Sequence, residues 1–129
     1  MVRGHSIVND VTARVHQAAP DTFIRIGPWI ETADDLDSEN VNLKCWVNAA
    51  LRQSASTRGL IFDIPSVIES RSSSMARLYD DVSAIGTPSS ADIGFNPPKF
   101  QRPVSKLTII TGGLGTLTNS FVSTPPIPQ

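Results

Sequence analysis

The chain has 129 residues, 40% of them hydrophobic and 18% charged, with a net charge of −1. That length suits a single domain with its own core, and the near-zero charge excludes a large electrostatic footprint on nucleic acid. The one cysteine, Cys45, excludes an intrachain disulfide and any cysteine-rich zinc site.

The charged share is below the roughly 25% usual for a soluble domain. Ser, Thr, Asn and Pro fill the difference, and a surface so poor in like-charge repulsion favours packing against other subunits. No apolar run reaches the ~18 residues of a membrane helix. The opening Met1-Val-Arg-Gly-His-Ser6 lacks the apolar stretch of a signal peptide. Synthesis in the cytoplasm and no membrane partner are the expectations.

In chain order, Ile7, Val8, Val11 and Val15 stand at helical spacing, but β-branched residues dominate. Residues 1–20 therefore read as an N-terminal arm or short helix ahead of a β-rich domain over 21–124. Phe23–Ile26 reads as a short strand stopped by Gly27-Pro28. Val41–Arg52 fits either a strand, with Val41, Leu43, Cys45, Val47, Ala49 and Leu51 on one face, or a helix. The Asn, Val, Cys and Trp content tips it to strand. Ser54–Gly59 reads as a turn, and Leu60–Ile64 as a strand ended by Pro65. Ser72-Ser-Ser74 reads as the start of a helix over about 73–85, with Met75, Leu78, Tyr79 and Val82 at core spacing and Gly86 and Pro88 closing it. Ile93–Phe95 is a possible edge strand in a Pro- and Ser-rich stretch. Lys106–Thr111 and Thr116–Thr124 are rich in β-formers and flank Gly112-Gly-Leu-Gly115. Residues 125–129 form a proline-rich tail.

No catalytic constellation stands out, and no cofactor is implied. Glu31, Asp34, Asp35, Asp37 and Glu39 form an acidic run, read as a solvated loop. Asp35, Asp37 and Glu39 alternate as calcium ligands do, but Asn40 and Trp46 occupy the positions where an EF-hand needs Gly and Glu. What survives is an irregular cation site at a subunit interface. His5 and His16 read as packing or surface residues, and Cys45 as a small buried hydrophobe. Asp80-Asp81 reads as a solvated helix face, and the serines between Arg71 and Arg77 as cap and linker. Gly112–Gly115 follows a strand as a phosphate loop does, but no helix follows it, so it reads as a hairpin turn.

From Val41 onward the order of elements resembles the shell domain of small icosahedral RNA-virus coat proteins of the sobemovirus and tombusvirus groups. The residues that carry the resemblance are Gly59-Leu-Ile-Phe-Asp63, the serine-led segment 73–86, Thr87-Pro88, Leu107–Gly113, Gly115-Thr-Leu117 and Ser123-Thr-Pro125. It implies a mainly β fold, a jelly-roll-like β-sandwich with one or two short helices. It also implies a non-enzymatic coat subunit of a virion that assembles with copies of itself, and with RNA as a further partner. Pro125, Pro126, Ile127 and Pro128 would be the assembly tail. The alternative is a small protein-binding or regulatory module using that same tail as a polyproline segment.

Overall fold

The computed structural model describes residues 1–11, 24–89 and 94–123. Strands β1 (Gly4–Asp10) and β2 (Ile24–Thr32) pair as an antiparallel ribbon. Strands β3 (Asn42–Val47), β4 (Ala50–Ser56), β5 (Lys106–Thr111) and β6 (Gly115–Ser120) form an antiparallel sheet in the order β4-β3-β5-β6. The ribbon lies against this sheet, β1 touching β5 and β2 touching β6.

The alternation in β3 and β5 decides where the core sits. Cys45 and Val47 on β3 face the same side as Leu107 and Ile109 on β5, and the register sets Cys45 opposite Ile109 and Val47 opposite Leu107. Ile7 from β1 and Leu114 from the glycine turn close this cluster, with Leu36, Leu43, Leu117 and Phe121 packed around it. The intervening residues Lys44, Lys106 and Ile110 are exposed, as period-two geometry requires.

The strand reading of 41–52 holds, but as a hairpin rather than one run. Val47 pairs with Ala50, leaving Asn48 and Ala49 as a two-residue turn, both at positive φ (47° and 66°). Such turns match the twist of their strands only with left-handed residues at both positions. Asn tolerates that region and Ala does not, at a cost of roughly 1–2 kcal/mol. Asn48 is also pinned to β5: its Oδ1 accepts from Lys106 N at 2.8 Å, and its own N–H donates to Lys106 O at 2.9 Å.

The glycine turn is a hairpin, joining β5 to β6 through Thr111 paired with Gly115. Gly113 and Gly115 take φ of +80° and +79°, and a Cβ on Gly115 would collide with the indole ring of Trp29. That close approach brings β2 down onto β6.

Five sequence expectations are corrected. Residues 4–10 form a strand, not a helix; residues 12–20 lie outside the described residues. β2 does not stop at Gly27-Pro28 but runs through it, because the pairing slips there: Ile7 faces Gly27 while His5 faces Glu31. A proline is tolerated where the ladder is interrupted, and Ser6 Oγ donates to Trp29 O at 2.6 Å across the irregularity. The helix is α1, Ile64–Ser74, ahead of the expected place, and Leu60–Ile64 is not a strand. Asp63 caps it, its Oδ1 accepting from Ser66 N at 2.8 Å, and Pro65 starts rather than stops structure because its missing N–H falls in the first turn. The serines end the helix: Ser73 and Ser74 hydroxyls donate back to Ser70 O, and Met75 adopts an extended conformation. Finally, six strands in a ribbon and a four-stranded sheet, among the described residues, are mainly β but not an eight-stranded jelly roll.

Replacing Gly115 with Val should cost about 2 kcal/mol or more, by forcing φ > 0 on a β-branched residue against Trp29. Gly59→Ala, at a position open to solvent, should change stability by less than about 0.5 kcal/mol. Urea unfolding of both variants checks this.

Hydrogen bonds from Ser66, side chain first and then backbone, hold the Asp63 carboxyl below its ordinary value. Its contribution to α1 is therefore present above that ordinary value and lost as pH falls through the lowered one. Far-UV circular dichroism should show helix loss in that acid window for the parent. The Asp63→Asn protein, whose cap does not titrate, should show none there.

Candidate functional site

One side-chain contact that ties a loop to the sheet starts at Gln53 on β4. Its Nε2 donates to Pro88 O at 3.2 Å and to Ser89 O at 3.4 Å. This clasp ties the loop Gly86-Thr-Pro-Ser89 to the sheet, with Gly86 at φ +112° and Thr87 and Ser89 exposed. The loop thus presents two hydroxyls on a fixed backbone, a geometry suited to hydrogen-bonding an oxygen-rich ligand. It supplies no proton-transfer group.

A second polar feature joins the sheets. Asn9 is buried in β1, and its Nδ2 donates to Asn119 Oδ1 on β6 at 2.9 Å. Thr111 Oγ1 is buried without a hydrogen-bond partner at the end of β5. Buried amides are costly unless paired, so the Asn9–Asn119 bond fixes how the ribbon meets the sheet.

The sequence-predicted residues are placed as follows. Asp35, Asp37 and Glu39 lie in the loop after β2, where Thr32 Oγ1 donates to Asp35 Oδ2 at 2.7 Å and Glu39 N to Asp37 Oδ1 at 3.3 Å. Among the described residues, no group of three or more His, Cys, Asp or Glu side chains is arranged to hold a metal ion. His5 is half-buried in β1 opposite Glu31; His16 lies outside the described residues, as do Pro125, Pro126, Ile127 and Pro128. Cys45 is buried as expected. Asp80 and Asp81 sit in a turn rather than on a helix, Asp81 Oδ2 accepting from Leu78 N at 2.8 Å. Met75, Leu78, Tyr79 and Val82, read as core, are exposed. Sequence reasoning missed Gln53 and the Asn9–Asn119 pair. Each acts on a residue far away in the chain, so no local pattern signals it.

A ribbon packed on a β4-β3-β5-β6 sheet, with a clasped Gly-Thr-Pro-Ser loop, defines a β-rich scaffold of the kind found in a group of metabolic enzymes. Residues 1–122 match the fumarylacetoacetate (FAA) hydrolase C-terminal family, and the chain belongs to that family. It is 38% identical over 130 residues to the oxaloacetate tautomerase YisK of Bacillus subtilis, covering 93% of this chain and 43% of that protein. Its fold is similar to a fumarylacetoacetate hydrolase from Exiguobacterium antarcticum at a TM-score of 0.89 and 32% identity, covering 94% of this chain and 47% of that one. It is similar as well to the maleylpyruvate hydrolase of Sphingobium sp. SYK-6 in complex with manganese (II) ion and pyruvate, at a TM-score of 0.76 and 34% identity, over 92% and 44% of the two chains. The chain thus spans less than half the length of these relatives.

This membership overturns the resemblance to viral coat proteins, and with it the non-enzymatic shell subunit and the virion location: the named relatives are enzymes. The pattern misled because Gly-rich hairpins and Ser/Thr-Pro segments recur wherever short antiparallel strands are joined. For a manganese centre of the kind that one relative holds, the described residues offer no cluster of three or more His, Cys, Asp or Glu side chains. The described residues of this chain do not by themselves fit such a metal.

Asn9→Ala or Asn119→Ala should each cost about 1–3 kcal/mol by stranding the partner amide. The double variant should cost less than the two together, with a coupling of about 1 kcal/mol in a double-mutant cycle read by urea unfolding.

Proposed function

We propose that this chain works within an enzyme that acts on a 2-oxo carboxylate, supplying the β framework and the clasped substrate-side loop. The observation that carries the reading is family membership over residues 1–122 together with the Gln53 clasp. Oxaloacetate and maleylpyruvate, named for two relatives, are both 2-oxo acids, and their chemistry is proton movement or C–C cleavage next to the 2-oxo group. Such a substrate needs hydrogen-bond donors on its oxygens and a group that moves a proton. The exposed Thr87 and Ser89 hydroxyls suit the first requirement. Among the described residues, none is set up for the second.

Packing supports the same division of labour. α1 buries none of its residues, and Ile61, Phe62, Leu78 and Tyr79 are exposed. Apolar surface on this scale is commonly covered by further polypeptide. In the working enzyme these residues would pack against it, as the greater length of the relatives allows.

The test is a chimera in which residues 1–122 replace the matched region of the B. subtilis oxaloacetate tautomerase. Loss of the enol absorbance of oxaloacetate should be faster with the chimera than in buffer. Gln53→Leu, which frees the loop, should lower that rate about tenfold or more while leaving the fold intact. A soluble, cooperatively melting chimera that does not accelerate the reaction would count decisively against the reading.

A further inference from the structure

Strand β4 is not regular. Cys45 faces Gln53 and Trp46 faces Leu51, so Arg52 has no opposite residue on β3 and forms a bulge. A bulge takes one side chain out of the period-two alternation and re-aims it, and strands beside binding sites use this device often. Here the Arg52 side chain lines a surface cavity of about 410 Å³ that it shares with Asn48, Lys99, Arg102 and Ser105.

Among the described residues, three cations line this cavity and no carboxylate does. Nε and Nη1 of Arg52 are buried and have no hydrogen-bond partner. Its guanidinium carbon lies 5.4 Å from the centre of the Phe95 ring, and Lys99 Nζ lies 4.6 Å from the same centre. One aromatic ring therefore holds two positive charges beside one concavity. The arrangement is unfavourable when nothing is bound: buried guanidinium N–H groups go unpaired, and like charges are gathered without a counter-charge among the described residues. An oxyanion removes both penalties, because the guanidinium fork matches carboxylate or phosphate geometry and Lys99 adds a point charge. The rim is already fixed. Asn48 is held by its turn and by Lys106 N, while Ser105 Oγ accepts from Arg102 N at 3.2 Å, which leaves its hydroxyl hydrogen free to donate.

We infer that the cavity between the β4 bulge and the 98–105 segment is a binding site for a small, multiply charged oxyanion, a phosphate or a dicarboxylate, with Arg52 and Lys99 as its principal ligands. The inference stands apart from the enzymatic reading, since it concerns affinity and not turnover.

Isothermal titration calorimetry of the full chain in low-salt buffer, with inorganic phosphate and malonate as separate titrants, tests it and tells the two anions apart. Saturable binding of at least one is expected. Arg52→Met and Lys99→Gln should each weaken it at least tenfold, about 1.4 kcal/mol, whereas Lys44→Gln, which removes an exposed cation outside the cavity, should leave it unchanged. Lys99 is exposed, so its variant reads the site even if Arg52→Met does not fold. Two results overturn the inference: no saturable heat from either anion at millimolar concentration, or equal affinities in the Lys99→Gln and Lys44→Gln proteins.

Discussion

The ladder between β3 and β5 is the contact on which the rest depends. Each of the two hairpins, β3–β4 and β5–β6, is local and forms around its own turn. They become one sheet only because Cys45 and Val47 meet Ile109 and Leu107. That pairing closes a long excursion, from Thr57 to Ser105, whose ordering entropy the ladder has to offset. The excursion is fastened at its two ends and, midway, by the Gln53 clasp on Pro88 and Ser89. Thr57 N donates to Val41 O and its hydroxyl accepts from Val41 N, while Val104 N donates to Phe121 O and Phe121 N to Ser105 O. Between those fastenings, α1 contributes no buried side chain, so its stability is local and rests on the Asp63 cap.

The ribbon is held by a different kind of contact. Ile7 supplies the apolar part, seated on the β3–β5 cluster. Specificity comes from the Asn9–Asn119 hydrogen bond and from the close approach of Trp29 to Gly115. Both are unforgiving. A part-buried amide pair tolerates no slip without losing its partner, and a glycine under an indole ring leaves no space for a side chain. A register error in β1 would turn Ile7 outward and Val8 inward, so these two contacts are what keep the irregular ribbon in one alignment.

The functional picture follows from where the polar groups fall. Family membership is carried by the scaffold over residues 1–122, and the scaffold places two separate polar features along one strand. Gln53 turns to the 86–89 loop, and its neighbour Arg52, displaced by the bulge, turns to a cationic cavity. The bulge takes Arg52 out of the strand's alternation, so its side chain and that of Gln53 reach separate features. One strand thus serves a hydrogen-bonding loop and a charged concavity without the two interfering.

How much of this was legible beforehand divides along a physical line. The sequence by itself determined what depends on near neighbours: the β-character of Lys106–Thr111 and of the first part of Thr116–Thr124, the glycine hairpin between them, the buried face of Cys45 and Val47, and the acidic loop before β3. Each is set by intrinsic preference, period-two alternation or turn chemistry within a few residues. Tertiary structure decided what depends on distant partners. It ran β2 through Pro28, because the slip in pairing with β1 had already broken the ladder there. It made Pro65 a helix start and left Met75, Leu78, Tyr79 and Val82 exposed, because α1 ends at Ser74 and they share no helical face. It gave Asn9, Arg52 and Gln53 their roles, because each answers a group that the chain brings near only after β3 and β5 have paired. Apolar spacing states what a segment could bury. Whether anything arrives to bury it is settled by long-range pairing, which the order of residues encodes only collectively.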